Sequence, residues 1–161
     1  MIIRKAKPSD LKEMSILRKN TIRKFNAKDY PRMVFLDLLR RNSVLELRKK
    51  LEKKDIFCAI DKGEIVGTVG LEEDKIWGMY TKVSRRGEGI GTKLMDFIEE
   101  HAKKSGLKVL LAYSTPYARS FYIKRGFKFK GYLNGFRVLN QKTKKFKVID
   151  IKVPILKKRL K

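Results

Sequence analysis

Scarcity bounds this chain before any motif does. Its 161 residues include one cysteine, Cys58, and one histidine, His101, which excludes an internal disulfide framework and most zinc-ribbon arrangements. No metal site is expected. No apolar run approaches the roughly 18 residues that a membrane-spanning helix needs. The first eleven residues lack both a long apolar stretch and a small-residue cleavage site, so no signal peptide is expected. Linkers, repeats and low-complexity segments are missing too. What is present, 42% hydrophobic and 10% aromatic residues, excludes a disordered tail. A chain of this length suits a single domain spanning 1–161 that buries about 70% of its unfolded surface. A cytoplasmic protein is the expectation.

Acids are also scarce. Forty-one Lys and Arg against seventeen Asp and Glu give a net charge of +24, a field that attracts nucleotides, nucleic acid or anionic surfaces by sign alone. The basic residues are spread along the chain and mixed with acids, so a soluble lysine-rich surface and a nucleic-acid footprint both fit. A single Gln, a single Cys and abundant Lys also suit a protein from a hot environment.

The apolar pattern reads as a mixed α/β chain. Residues 2–6 form a strand. Ser9 or Asp10 then caps a helix with the buried stripe Leu11, Met14, Leu17, Thr21, Ile22 and Phe25. Two short helices are expected between 31 and 54, broken at Asn42-Ser43. From Asp55 the period changes to 2, giving a hairpin of 56–60 and 65–69 and a further strand at 76–83. A glycine-rich loop at 85–91 opens a helix to Ser105 with the stripe Ile90, Leu94, Phe97, Ile98 and Ala102, ended by Gly106. Leu107 to Tyr113 reads as a central strand buried on both faces. Thr115-Pro116 starts a helix of about ten residues that Gly126 stops. Strands at 127–133, 136–140 and 146–153 follow, with a turn at Asn134-Gly135.

The segment Arg85-Arg86-Gly87-Glu88-Gly89-Ile90-Gly91-Thr92 lies between a strand and an amphipathic helix. Small residues at alternate positions let main-chain N–H groups converge on a phosphate, and the helix presents its positive N-terminus to the same spot. A Walker loop needs Gly-Lys-Ser/Thr at its end and a dinucleotide fingerprint needs G-x-G-x-x-G, and neither spacing is present.

With Arg86, Gly89 and Gly91 matching R/Q-x-x-G-x-G/A, the chain resembles the GCN5-related N-acetyltransferase (GNAT) superfamily. A second match is Ala118-Arg119-Ser120-Phe121-Tyr122-Ile123-Lys124-Arg125-Gly126-Phe127, about thirty residues on. The resemblance covers 55–133 closely. It implies an α/β (α+β) fold with a mixed, mostly antiparallel sheet of six or seven strands, a splayed parallel pair (76–83 and 107–113) at its centre, and about four helices on both faces. It further implies acetyl-CoA as co-substrate, its pyrophosphate held by Arg86, Gly87, Glu88, Gly89, Ile90, Gly91 and Thr92. The pantetheine arm would run along the main chain of Tyr80, Thr81, Lys82 and Val83, with Ser114, Ala118 and Tyr122 completing the site. Ser114 and Thr115 stand where the family carries an asparagine.

Amine attack on a thioester requires a donor for the developing oxyanion, an acid for the leaving sulfur and a base. Tyr122 matches the family tyrosine that protonates the sulfur. Gly78 fits either a bulge that aims a main-chain N–H at the acetyl oxygen or a glycine that makes room for Trp77. Many relatives carry a strand glutamate as base, which Lys75–Tyr80 lacks. Glu72, Glu73 and Asp74 remain, with Glu73 favoured by position, or else a water chain. His101 is read as structural or exposed, and Lys124 and Arg125 as helix-end cations rather than ligands. The implied activity is acetyl transfer to an amine of unknown identity, by a monomer or homodimer. The competing reading is a catalytically weak GNAT-fold module that binds RNA or the ribosome.

Overall fold

The computed structural model describes all 161 residues. Seven strands form one sheet in the order β1-β2-β3-β4-β5-β7-β6, comprising β1 (Ile2–Lys5), β2 (Asp55–Asp61), β3 (Glu64–Glu72), β4 (Lys75–Thr81), β5 (Val109–Tyr113), β6 (Lys128–Leu139) and β7 (Phe146–Arg159). Every neighbouring pair is antiparallel except β4 and β5. Five helices cover the sheet: α1 (Leu11–Phe25), α2 (Arg32–Arg41), α3 (Val44–Leu51), α4 (Ile90–Lys104) and α5 (Arg119–Lys124). This is the mixed, mostly antiparallel architecture expected, with one more helix.

Alternation along the strands divides the core. Phe57, Ala59, Val66, Val69, Leu71 and Ile76 pack with Leu94, Met95, Ile98 and Ala102 of α4 and with Tyr122 and Phe127. Ile56, Cys58 and Ile65 instead meet Leu11, Met14 and Leu17 of α1 and Leu47 of α3. Each fully buried Leu or Ile contributes about 1.5–3 kcal/mol, so these stripes rather than helix propensity fix α1 and α4 on the sheet. Both α4 and α5 close as their glycines require. Gly106 (φ +80°) and Gly126 (φ +83°) are left-handed, and Leu107 N–H donates to Ala102 O at 3.0 Å and Phe127 N–H to Tyr122 O at 3.0 Å, the double-bonded stop of a Schellman motif.

Three expectations are corrected. The helix after Thr115-Pro116 is six residues, Arg119–Lys124, with Ala118 as its cap. Thr115 Oγ1 accepts from Ala118 N–H at 3.1 Å, so it closes a turn ahead of the helix. Asn134-Gly135 is no hairpin turn but a register shift inside β6, and the chain reverses at 140–145, where Asn140 N–H donates to Lys145 O at 2.9 Å. The strand at 76–83 ends at Thr81 and passes into a 3-10 turn, Val83–Arg85.

Candidate active site

The parallel pair at the centre of the sheet is barely a pair. Only Lys75 with Leu111 and Ile76 with Ala112 are in register. Beyond them a bulge shifts the β3–β4 register between Thr68 and Gly70, and Gly78 sits opposite it at φ +57°. β4 and β5 then diverge around a cleft of about 460 Å3, walled by β4, by the loop before α4 and by the Tyr113–Tyr122 segment.

The loop forms one end of the cleft. Gly87 (φ +90°) and Gly89 (φ +74°) adopt left-handed backbone, a conformation that costs a side chain about 1–2 kcal/mol. Gly89 caps α4 in that state. The amides from Gly87 to Thr92 donate to no acceptor within the chain, leaving a set of free N–H groups at a helix N-terminus. Arg85 does not join them. Its guanidinium donates to Glu88 at 2.7 Å and Asp61 at 2.8 Å, which holds the Glu88 carboxyl below the usual carboxylate range and ties the loop to β2. Arg86 is the free cation. It lies 5.2 Å from each of the Phe25 and Tyr117 rings, which stack at 4.4 Å. Phe25 and Thr21, expected in the core stripe of α1, are half-buried and line the cleft.

Along β4 the main chain is only partly available. Lys82 N–H donates to Val66 O at 2.8 Å and its carbonyl accepts from Arg85 N–H at 3.0 Å. Both main-chain groups expected to meet the pantetheine at Lys82 are thus used within the fold, and neither Lys82 nor Glu88 lines the cleft. The alternation of an antiparallel ladder then turns the main-chain groups of Tyr80 toward β3 and the Thr81 N–H toward the cleft, although Tyr80 itself still lines the cleft, while Thr81 O accepts from Thr21 Oγ1 at 2.9 Å. Val83 lines the cleft.

The opposite wall carries Tyr122, 7% exposed. Its hydroxyl finds one partner, Met79 Sδ at 3.8 Å, and burial pushes its pKa well above that of a free tyrosine. It therefore holds its proton at neutral pH. Ser114 and Ala118 line the cleft beside it. The Ser114 hydroxyl is turned onto Thr115 O at 2.7 Å.

Behind the bulge lies a residue the sequence analysis passed over. Arg18, 0% exposed, donates from Nε to Thr68 Oγ1 at 3.0 Å, and Thr68 in turn donates to Gly78 O at 2.9 Å. Its guanidinium lies 5.2 Å from the Trp77 ring and 5.6 Å from Tyr80, has no carboxylate partner, and leaves Nη2 without any acceptor. Burial lowers its pKa to about 10. The periodicity contained the signal, since Met14, Arg18 and Ile22 share one face at i, i+4, i+8. Gly78 is a glycine on this account: a Cβ would stand 2.7 Å from Arg18 Nη1, whereas the glycine that makes room for Trp77 is Gly70.

Glu73 is not brought to the cleft. It is 77% exposed and paired with Lys75 at 2.9 Å, in the turn before β4, and Lys75 holds its carboxyl below the usual range. Glu72 pairs with Lys54 at 2.5 Å. No carboxylate lines the cleft at all. His101 stacks edge-on to Phe57 at 4.8 Å and faces Asp55 at 3.4 Å, a structural placement. Arg125 pairs with Asp96.

Comparison with known proteins agrees with this geometry. Residues 52–129 match the family described as an acetyltransferase (GNAT) domain. No curated protein is significantly similar in sequence. Among solved structures, a GCN5-related N-acetyltransferase from Rhodopseudomonas palustris superposes at TM-score 0.82 with 21% identity, over 99% of this chain and 95% of that one. PaiA N-acetyltransferase from Thermoplasma acidophilum, solved in complex with coenzyme A, gives TM-score 0.77 and 18% identity over 98% of each chain. A putative acetyltransferase from Salmonella typhimurium, yncA, solved with its cofactor acetyl-CoA, gives 0.66 and 15% over 100% of this chain and 94% of that one. At these identities the shared property is the fold.

Proposed function

We propose that this chain, which belongs to the GCN5-related N-acetyltransferase superfamily, transfers the acetyl group of acetyl-CoA to an amine. The observation that carries the reading is the row of free amides from Gly87 to Thr92 at one end of the cleft, with a buried, protonated Tyr122 on its wall. The two relatives solved with coenzyme A or acetyl-CoA support it.

The residues fit that co-substrate. Free amides, the positive end of α4 and the Arg86 guanidinium together suit a diphosphate, and the Thr81 N–H offers a ladder-like contact to an amide-bearing arm. Acetyl-CoA supplies an acyl carbon activated by its thioester. As the amine nitrogen bonds to that carbon, a main-chain N–H at the Gly78 bulge would serve as donor to the oxygen on which charge develops, a role worth about 100–1,000-fold in rate. When the carbon–sulfur bond breaks, the Tyr122 hydroxyl gives its proton to the sulfur, leaving a free thiol and an amide. The nitrogen's proton leaves to water, and Tyr122 is reprotonated.

With no carboxylate in the cleft and a buried cation behind Gly78, the acceptor has to arrive as the neutral amine. The rate at subsaturating amine is therefore expected to rise with pH through the acceptor's own pKa, without a lower inflection near pH 4–6 from an enzymic carboxylate. Calorimetric titration with acetyl-CoA, followed by free-thiol detection over an amine panel, tests the function. Tyr122→Phe is expected to keep acetyl-CoA affinity within about twofold and to lower turnover about 100–10,000-fold. Absence of acetyl-CoA binding in the wild-type chain refutes the proposal.

A further inference from the structure

A second concavity lies at the other end of α4 from the glycine loop. α4 has 15 residues, about 22 Å of helix, and its last turn meets the ends of β6 and β7 around a basin of about 740 Å3. Lys103, Lys128, Lys130, Lys157 and Arg159 converge on it from one helix and two strands. The one acidic side chain in its lining, Glu99, is taken by Lys158 at 2.6 Å. None of the other six cations of the lining, Lys161 included, has an acid partner.

Ordinary reasons explain part of this. Lys103 suits a helix C-terminus, and lysines on a free edge such as β6 discourage strand addition. Neither explains why Lys128 and Lys157 are register partners, directly opposite each other in the β6–β7 ladder. Like charges so placed weaken strand pairing, and neither lysine has an acid within the fold to offset the other.

The same edge strand carries stacking surfaces on its next residues. Phe129 and Tyr132 are 38% and 45% exposed and meet edge to face at 5.0 Å. Arg119 lies 4.8 Å over Phe129 and Lys152 lies 5.9 Å from the Tyr132 ring. Cations that gather in a concavity, beside aromatic rings flanked by further cations, match a backbone that bears phosphates on one side and flat bases on the other. We propose that the β6 edge and the basin beside it bind single-stranded nucleic acid, at a site separate from the acetyl-CoA cleft.

Fluorescence anisotropy with a labelled 20-nucleotide single strand, as RNA and as DNA, titrated between 50 and 300 mM KCl, tests this. Four or five phosphates neutralised predict a slope of log affinity against log salt near −3. Lys128→Glu/Lys130→Glu is expected to lower affinity at least tenfold and to reduce the slope by about 1.4. Phe129→Ala/Tyr132→Ala is expected to lower it about tenfold with the slope unchanged. Lys128→Glu alone faces Lys157 with an opposite charge, so it should raise the melting temperature while it weakens binding, a combination that misfolding cannot produce. Acetyl-CoA titration is expected to be unchanged in all of these variants. The proposal is overturned if the control Lys12→Glu/Lys53→Glu, with the same charge change elsewhere, costs as much affinity. Duplex of equal length binding more tightly, or polyglutamate competing at equal charge, overturns it as well.

Discussion

Gly78 is held between two demands that only the absence of a side chain satisfies. Its backbone is left-handed at φ +57°, and the space its Cβ would enter is filled by the Arg18 guanidinium, with Nη1 at 2.7 Å. The two costs are separable. Gly78→Ala is expected to lose about 1–2 kcal/mol to the backbone and a further 1–3 kcal/mol to the clash. In an Arg18→Met background the second part should vanish. Urea unfolding of the four proteins checks this as a double-mutant cycle, and equal losses in both backgrounds would show that Arg18 does not press on the bulge. Arg18→Met alone should change stability by less than removal of a paired buried ion, because a buried charge without a counterion is costly to keep. Here the sequence was legible in one direction only. The three glycines stand out by their spacing and Tyr122 by its match to the family motif, but a cation on an apolar face reads as a solvated exception until the sheet is seen behind it. Glu73 failed for the opposite reason, because proximity in sequence to β4 says nothing of which way a turn residue points.

At the scale of elements, the α4 N-terminus depends on Gly89 as its cap. A Cβ there would meet nothing within 4 Å, so the cost of a substitution lies in the left-handed backbone and not in crowding. Gly89→Ala is expected to cost about 1 kcal/mol of stability and to weaken acetyl-CoA binding about tenfold or more, as the free amides lose their common aim. Unchanged affinity in calorimetry would remove the loop from the site. Arg86→Ala should also weaken binding, and by less at high salt, since a single exposed cation is screened. Elements with strong periodic patterns, α1, α4 and the β2–β3 hairpin, were readable because burial enforces the pattern. The 127–159 region was not. Asn134-Gly135 has the composition of a hairpin turn, yet β7 runs fourteen residues alongside β5 and β6, and that long partner converts the turn signal into a bulge. Tertiary pairing outweighed local turn chemistry. Thr115-Pro116 follows the same rule: the hydroxyl closes a turn onto Ala118 and the helix waits one turn more.

For the whole molecule the dominant fact is charge. A net +24 on 161 residues repels itself across the surface, and screening shortens the reach of that repulsion from about 30 Å at 0.01 M salt to about 8 Å at 0.15 M. Added salt should therefore stabilise this fold, against the weakening it causes at individual surface ion pairs. Cys58 offers a direct reading of the balance. It is fully buried in β2, and burial pushes its thiol up to about 12, so a thiol reagent at pH 8 reaches it only when the sheet opens between α1 and the β-layer. Where closing outpaces labelling, the rate follows the open population. Raising KCl from 10 to 200 mM is expected to slow Cys58 labelling, and acetyl-CoA at 100 times its dissociation constant to slow it about a further hundredfold, because binding to the closed form alone stabilises it by about 2.7 kcal/mol. A labelling rate that salt accelerates would mean that ion pairs such as Arg85 with Asp61 and Glu88, and not relief of the global charge, decide how tightly the sheet stays shut.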